Sequence, residues 1–304
     1  MKDYEVKYID LKTGEKIAYR EAGKGDKTFL LLHGNMSSSV HFQPLMELLK
    51  KNFKVYAMDL VGFGDSSYNR VIDSIEDFSR DVSAFIEALN LKDLYIVGWS
   101  TGGGVAMETA VDNQDRVKQV YMLSSVGVQG FPLFKLDRSL QPDHKKPLHL
   151  REDIEVDKIL IAPALTAFNN KDKDFFKILF NHSIYERHRP SADDYEKYLE
   201  AIVKQRNIVD VNVALTNFNM TTSNNGVNSG TGRLYQLRIP IIIIHGDEDK
   251  IVPIEFARIS KKFIGERAEL IEFKDCGHSL MTDDLDRLYT EIVSRVDFWL
   301  IKEK

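Results

Sequence analysis

The stretch that decides the fold is Leu94-Tyr95-Ile96-Val97-Gly98-Trp99-Ser100-Thr101-Gly102. Its first four residues form a continuous apolar run, which predicts a strand buried on both faces. A helical pattern follows over residues 103–110, so Ser100 falls on a strand-to-helix turn of the G-x-S-x-G type. Glycine suits positions 98 and 102 because a side chain there would clash with the backbone folding back around the serine. The segment therefore predicts Ser100 as a nucleophile.

Outward from this segment, strand and helix patterns alternate along the chain. Residues 29–32 and 241–244 are further continuous apolar runs, as expected in a parallel sheet with both faces covered. Residues 4–8 and 16–20 instead predict two antiparallel edge strands joined at Thr13-Gly14. Helices with one apolar face are predicted over residues 78–89 and 285–299, the second ending at Trp299. The fold class predicted is α/β, with a mostly parallel sheet and helices on both faces.

The alternation stops after a predicted strand over residues 117–123. Residues 126–235 are mostly helical in pattern, polar and interrupted by five prolines. We therefore expect an inserted helical cap over residues 126–235 and a core made of residues 1–125 and 236–304. Aromatic side chains of this cap either line an acyl pocket or form the cap's own core, and the second interpretation is favoured: Phe168, Phe175, Phe176, Phe180 and Phe218.

A serine hydroxyl needs a base to remove its proton and an acid to orient that base. Two later strands are each followed by candidates for these roles. His278 follows the last strand and is the predicted base, whereas His245 ends a strand and fits a structural role. Asp247 and Asp249 both follow the preceding strand, and either carboxylate is able to bond a histidine. The chain order is serine, aspartate, histidine.

These motifs resemble the α/β-hydrolase superfamily, in its serine-nucleophile branch of carboxylesterase-like and lipase-like proteins with a helical cap. The resemblance implies that Asp249, the second aspartate of G-D-x-D-x-x-V-P, orients His278, while Asp247 caps the loop. It also implies an oxyanion hole made by the backbone N–H groups of Asn35 and Thr101. Many relatives carry Gly-Gly or a proline where this chain has Asn35-Met36.

The resemblance implies hydrolysis of a carboxylic ester, lactone or thioester through an acyl-enzyme on Ser100, with no metal or cofactor. A serine at this position argues against haloalkane dehalogenases and epoxide hydrolases, which place an aspartate there. A carbon–carbon bond hydrolase, a cofactor-free perhydrolase, an acyltransferase and a ligand receptor that keeps the three residues all stay open. The glycine-rich residues 59–66 lack the lysine of a phosphate loop and are interpreted as a structural turn.

Composition limits the partners. The 304 residues carry 41 basic and 46 acidic side chains mixed along the chain, giving a net charge of -5, so no nucleic-acid partner is expected. No apolar run is long enough for a membrane span, and the polar residues 1–5 lack a signal core, so we expect a cytoplasmic protein. Its single cysteine, Cys276, is interpreted as a buried apolar filler. The expected partner is a small ester, and a homo-oligomer stays open.

Overall fold

Eight strands form the central sheet of the computed structural model, which describes residues 1–137, 139 and 141–296. In chain order, the sheet strands are β1 (Lys7–Asp10), β2 (Lys16–Ala22), β3 (Thr28–Leu32), β4 (Lys54–Met58), β5 (Leu94–Trp99), β6 (Val117–Leu123), β9 (Ile241–Gly246) and β10 (Ala268–Phe273). Their spatial order is β1-β2-β4-β3-β5-β6-β9-β10. The β1–β2 and β2–β4 pairs are antiparallel, and the other neighbouring pairs of the sheet are parallel. The predicted fold class is confirmed.

Helices cover both faces of this sheet. They are α1 (Gln43–Leu49), α2 (Ile75–Ala88), α3 (Thr101–Asp112), α9 (Ile254–Ile264), α10 (Leu280–Asp283) and α11 (Leu285–Val293). Ile241 and Ile243 pack on the face covered by α2, α3 and α9, whereas Ile242 and Ile244 pack on the face covered by α1, α10 and α11. This alternation explains why the inner strands are apolar at every position. The predicted helical position Trp299 lies outside the described residues.

Five helices and a hairpin lie between β6 and β9. They are β7 (Phe134–Leu136), β8 (Pro142–Pro147), α4 (Arg151–Glu155), α5 (Ala162–Asn170), α6 (Lys173–Ser183), α7 (Ala192–Ile202) and α8 (Ile208–Asn217). Short 3-10 turns span Ser39–Phe42, Arg233–Gln236 and Gly265–Arg267. The hairpin was not predicted from the sequence. The division into a core and a cap over residues 126–235 stays a prediction.

The helices between β6 and β9 have an apolar cluster of their own. Phe168, Phe176 and Phe180 are buried in it together with tyrosines of α7, and Met36 and Val40 from the segment after β3 pack against them. Phe218 is different, since it packs in the main cluster of the sheet beside helix α3. Within the described residues, no helix has the length and apolarity needed to cross a membrane.

Candidate active site

Ser100 lies on a strained turn between β5 and α3. Its backbone has φ 55° and ψ -120°, which is rare for a residue with a side chain. Hydrogen bonds hold this conformation: Ser100 N donates to Leu123 O at 3.0 Å, and Ser100 O accepts from Gly103 N at 3.0 Å and from Ser125 Oγ at 3.1 Å. The turn therefore fixes the hydroxyl at the carboxyl edge of the sheet.

The glycines around the serine are required by close packing. A Cβ at Gly98 would lie 2.2 Å from Gly102 O, and one at Gly102 would lie 2.1 Å from Leu32 O. A Cβ at Gly34 would lie 2.7 Å from Ser100 Cβ. The loop after β3 therefore touches the serine directly, as the sequence motif predicts for a loop that supplies an oxyanion donor.

His278 and Asp249 form a buried hydrogen-bonded pair. His278 Nδ1 lies 2.8 Å from Asp249 Oδ2, and the two residues are 3% and 6% exposed. Since a carboxylate only accepts, Nδ1 carries a proton, and in the neutral imidazole the Nε2 lone pair of His278 is able to take another. Trp99 Nε1 donates to His278 O at 2.9 Å, which ties the histidine loop to the end of β5.

Asp249 is held by more groups than the sequence indicates. Its Oδ1 accepts from Ile251 N and Val252 N, both at 2.9 Å. His245 Nε2 donates to Val252 O at 2.7 Å and lies 3.2 Å from Asp249 Oδ2, so Nε2 carries a proton that faces both oxygens. Burial alone would raise the pKa of Asp249, but the charges and hydrogen bonds of His278 and His245 together lower it below its ordinary value.

Asp247 occupies a different environment. Its carboxylate accepts from Lys274 Nζ at 3.1 Å, and its side chain is 20% exposed. Of the two aspartates that the loop sequence offers as partners of the histidine, Asp249 is thus the one that contacts His278.

Cys276 is buried, and burial raises the pKa of its thiol to about 11.

One predicted oxyanion donor, Asn35 N, lies in the loop after β3, and the other, Thr101 N, lies at the start of α3. Thr101 is the first residue of α3, where backbone N–H groups have no helical acceptor. Among the hydrogen bonds of the described residues, none uses the N–H of Asn35 or Thr101. Met36 N is already engaged, since it donates to Asn35 Oδ1 at 3.0 Å and to Gln205 Oε1 at 2.9 Å. Asn35, rather than Met36, therefore has the free donor in this loop.

Within the described part of the chain, no group of three or more His, Cys, Asp or Glu side chains has the arrangement of a metal site.

Sequence reasoning missed His245 as a partner of Asp249 and Gln205 as a partner of the Asn35 loop. Neither contact has a signal in the local sequence, since His245 ends strand β9 and a four-residue spacing pairs side chains only in a helix.

The parallel sheet, the strained serine turn and the histidine after the last strand define an α/β hydrolase. A family model described as serine aminopeptidase, S33 matches residues 23–285, and the chain belongs to this family of hydrolases.

Relatives of known name extend over nearly the whole chain. A lipase 1 of Psychrobacter immobilis is 24% identical, covering 93% of this chain and 81% of the lipase. A bifunctional esterase/perhydrolase of Acinetobacter calcoaceticus is 23% identical, covering 94% of this chain and 98% of that protein. The solved structure of an esterase from Exiguobacterium antarcticum superposes with a TM-score of 0.74 at 17% identity, covering 95% and 98% of the two chains. The structural likeness supports the fold.

Proposed function

We propose that this hydrolase cleaves a carboxylic ester, lactone or thioester of a small or acyl-chain substrate through an acyl-enzyme on Ser100. The observation that carries the proposal is the 2.8 Å contact between His278 Nδ1 and Asp249 Oδ2, together with a serine held at φ 55° next to Trp99, which donates to His278 O. Esterase and lipase names among relatives that align over most of the chain support the ester as the bond cleaved.

In the acylation step, His278 Nε2 takes the proton of Ser100 while the serine oxygen bonds the carbonyl carbon of the substrate. The carbonyl oxygen becomes an oxyanion, which accepts hydrogen bonds from Asn35 N and Thr101 N. Collapse of this intermediate expels the alcohol, which leaves with the proton held by His278. Asp249 stays ionised throughout and stabilises the charged imidazole.

In the deacylation step, His278 removes a proton from water as the water oxygen attacks the acyl carbon. Ser100 leaves with the proton returned by His278, and the carboxylic acid is released. The positive end of helix α3 supports the oxyanion in both steps, since Thr101 is its first residue. The burial of all three side chains strengthens these interactions because they act away from bulk water.

The test is a series of p-nitrophenyl esters from acetyl to palmitoyl, with an alanine p-nitroanilide as the amide comparison. Wild type, Ser100→Ala and Ser79→Ala are assayed together. Ser79 is a matched buried serine on α2 whose hydroxyl donates to Glu76 O at 3.0 Å, away from the site. We expect ester turnover in wild type and Ser79→Ala and its loss in Ser100→Ala.

Three outcomes would contradict the proposal. Ester turnover that persists in Ser100→Ala would show that another group is the nucleophile. Cleavage of the anilide in preference to every ester would make the protein a peptidase of the kind its family description names. A wild type that binds esters without turnover, detected by a melting shift, would support a receptor that keeps the three residues.

A second candidate is perhydrolysis at the same serine, which the name of the Acinetobacter relative favours. Hydrogen peroxide would replace water in the attack on the acyl carbon, so that Ser100 leaves with a proton and a peracid is released. We expect Ser100→Ala to abolish peracid formation from acetic acid and hydrogen peroxide, a reaction in which acetic acid acylates Ser100 with loss of water before peroxide attacks. Wild type that hydrolyses esters but yields no peracid would reject this second activity alone.

A further inference from the structure

We propose that Gln205, a cap residue between α7 and α8, is a positioning residue that fixes the oxyanion donor of Asn35. The inference rests on the proposed function and extends it, because it assigns part of the oxyanion hole's geometry to the cap. Gln205 is 3% exposed although it lies in a linking segment, between an exposed Lys204 and an exposed Arg206.

Both ends of the Gln205 amide contact the loop after β3. Gln205 Oε1 accepts from Met36 N at 2.9 Å, and Gln205 Nε2 donates to Asn35 Oδ1 at 2.8 Å. These two bonds span the peptide next to the Asn35 N–H. A shift of the Gln205 side-chain amide would therefore rotate the Asn35 N–H, which the proposed mechanism assigns to the oxyanion.

The loop needs an external support because its own conformation is unfavourable. Met36 has φ 51°, a left-handed backbone conformation that is unfavourable for a residue with a long side chain. A residue of this kind keeps such a φ when its surroundings determine it, and Gln205 supplies a direct hydrogen bond to its N–H. Asn35 Oδ1 provides the second acceptor for the same N–H at 3.0 Å.

Gln205 is itself anchored to the core. Its Nε2 also donates to Asn207 Oδ1 at 3.1 Å, and Asn207 Nδ2 donates to Val61 O at 2.7 Å. Arg206 N donates to Gly62 O at 2.9 Å. The turn over residues 59–64 thus holds Gln205 in place against the loop after β3.

The same turn also holds the loop from its other end. His33 Nε2 accepts from Leu60 N at 3.0 Å, and His33 Nδ1 lies 2.8 Å from Gly34 O, to which it donates. The segment from His33 to Met36 is therefore held at both ends by groups fixed to residues 59–64. The cap residue Gln205 is required for one of these two attachments.

Gln205→Met is the decisive variant, since methionine keeps the length of the side chain and removes both hydrogen bonds. A displacement of about 1 Å at a reacting group costs on the order of 100-fold in rate. We expect kcat for the best p-nitrophenyl ester to fall about 10- to 100-fold, with little change in KM. A trifluoromethyl ketone forms a hemiketal oxyanion with Ser100, so its Ki should rise by the factor that kcat loses.

Thr216→Val is the matched control. Thr216 is a fully buried cap residue whose hydroxyl donates to Leu148 O at 2.8 Å and accepts from Leu133 N at 3.1 Å, away from the site. We expect this variant to lower the melting temperature while leaving kcat and the ketone Ki unchanged. If Gln205→Met also lowered the melting temperature but left kcat unchanged, the proposal would be overturned.

Asn35→Ala removes the partner of Gln205 from the loop side while keeping the backbone donor. If Gln205 acts through this loop, Gln205→Met and Asn35→Ala lower kcat non-additively, and the double variant resembles the slower single variant. Additive losses would indicate that Gln205 contacts the substrate and would contradict the positioning role. Asn35→Ala alone tests the same contact if Gln205→Met does not fold.

Failure of the proposed function is separable from failure of this inference. A fluorophosphonate bonds Ser100 Oγ as its P–F bond breaks and the serine proton passes to His278, whatever the natural substrate is. The rate of this reaction should fall in Gln205→Met even if no ester is turned over. An equal rate in wild type and Gln205→Met would overturn the inference, whereas absent ester turnover in wild type would overturn the proposed function.

Discussion

Asp249 and Asp247 differ by two positions in the chain and entirely in their surroundings. Asp249 contacts His278 and His245 in the interior, whereas Asp247 bonds Lys274 near the surface. We predict that Asp249→Asn lowers kcat by about 10³- to 10⁴-fold, because an amide no longer selects the productive tautomer or stabilises the imidazolium. Steady-state ester kinetics provide the measurement.

Asp247→Asn is the matched control for that prediction. It replaces the same side chain in the same loop and removes one surface ion pair, whose contribution to stability is about 0–1 kcal/mol. Its kcat should stay close to that of wild type. Equal losses in the two variants would mean that the loop, and not the carboxylate on His278, is what the reaction requires.

Individual site residues were predictable where the local sequence carries the constraint. Ser100 has its glycine spacing, and His278 follows the last strand. His245 and Gln205 acquire their roles through contacts made by the folded chain, with Gln205 reaching a loop 170 positions away. Such contacts leave no periodic or spacing signal near the residue.

Among the elements, the junction of β5 and α3 is tightly packed. We predict that Gly98→Ala lowers the melting temperature strongly and costs about 1–3 kcal/mol or more, because its Cβ would lie 2.2 Å from Gly102 O and 2.6 Å from Gly103 Cα. Both neighbours are backbone atoms of α3 and cannot give way as a side chain would. Thermal unfolding followed by circular dichroism is the measurement.

Gly277→Ala is the comparison for that variant. The nearest atom to its Cβ would be Asp283 Oδ2 at 3.5 Å, an ordinary contact, and its N–H would still donate to Asp283. A melting temperature close to that of wild type is expected. A loss as large as that of Gly98→Ala would show that any methyl group added near the site is harmful.

The sequence predicts elements well where burial makes them uniform and poorly where it does not. Strands β3, β5 and β9 are fully buried and were predicted from continuous apolar runs. Strand β4 was not predicted, since its Lys54 and Tyr56 are half-buried and interrupt the apolar run. The hairpin of β7 and β8 is mostly exposed and carries proline at both ends of β8, which hides it from an analysis by alternation.

At the scale of the whole molecule, the segment between β6 and β9 contacts the segments that follow β9 and β10. Glu186 pairs with Lys250 at 2.7 Å, and Arg187 pairs with Glu248. His188 N donates to Asp283 Oδ1 at 3.3 Å. Ser100 is 8% exposed, so we expect these contacts to limit the access of a bulky substrate.

We predict that Lys250→Glu, which places two carboxylates together, raises kcat/KM for palmitoyl esters relative to acetyl esters. The change should be several-fold at most, because exposed pairs contribute about 0.2–1 kcal/mol. Adding Glu186→Lys reverses both charges and should restore the wild-type ratio. A ratio that changes in the double variant but not in the single one would refute the role of this pair.

The most direct test of the central claim is the mass of the intact protein after rapid acid quenching during turnover of a p-nitrophenyl ester. The account predicts one added acyl group, located on the peptide that contains Ser100 and missing from Ser100→Ala. An unmodified Ser100 peptide during continuing turnover, or an acyl group carried by another residue, would contradict it.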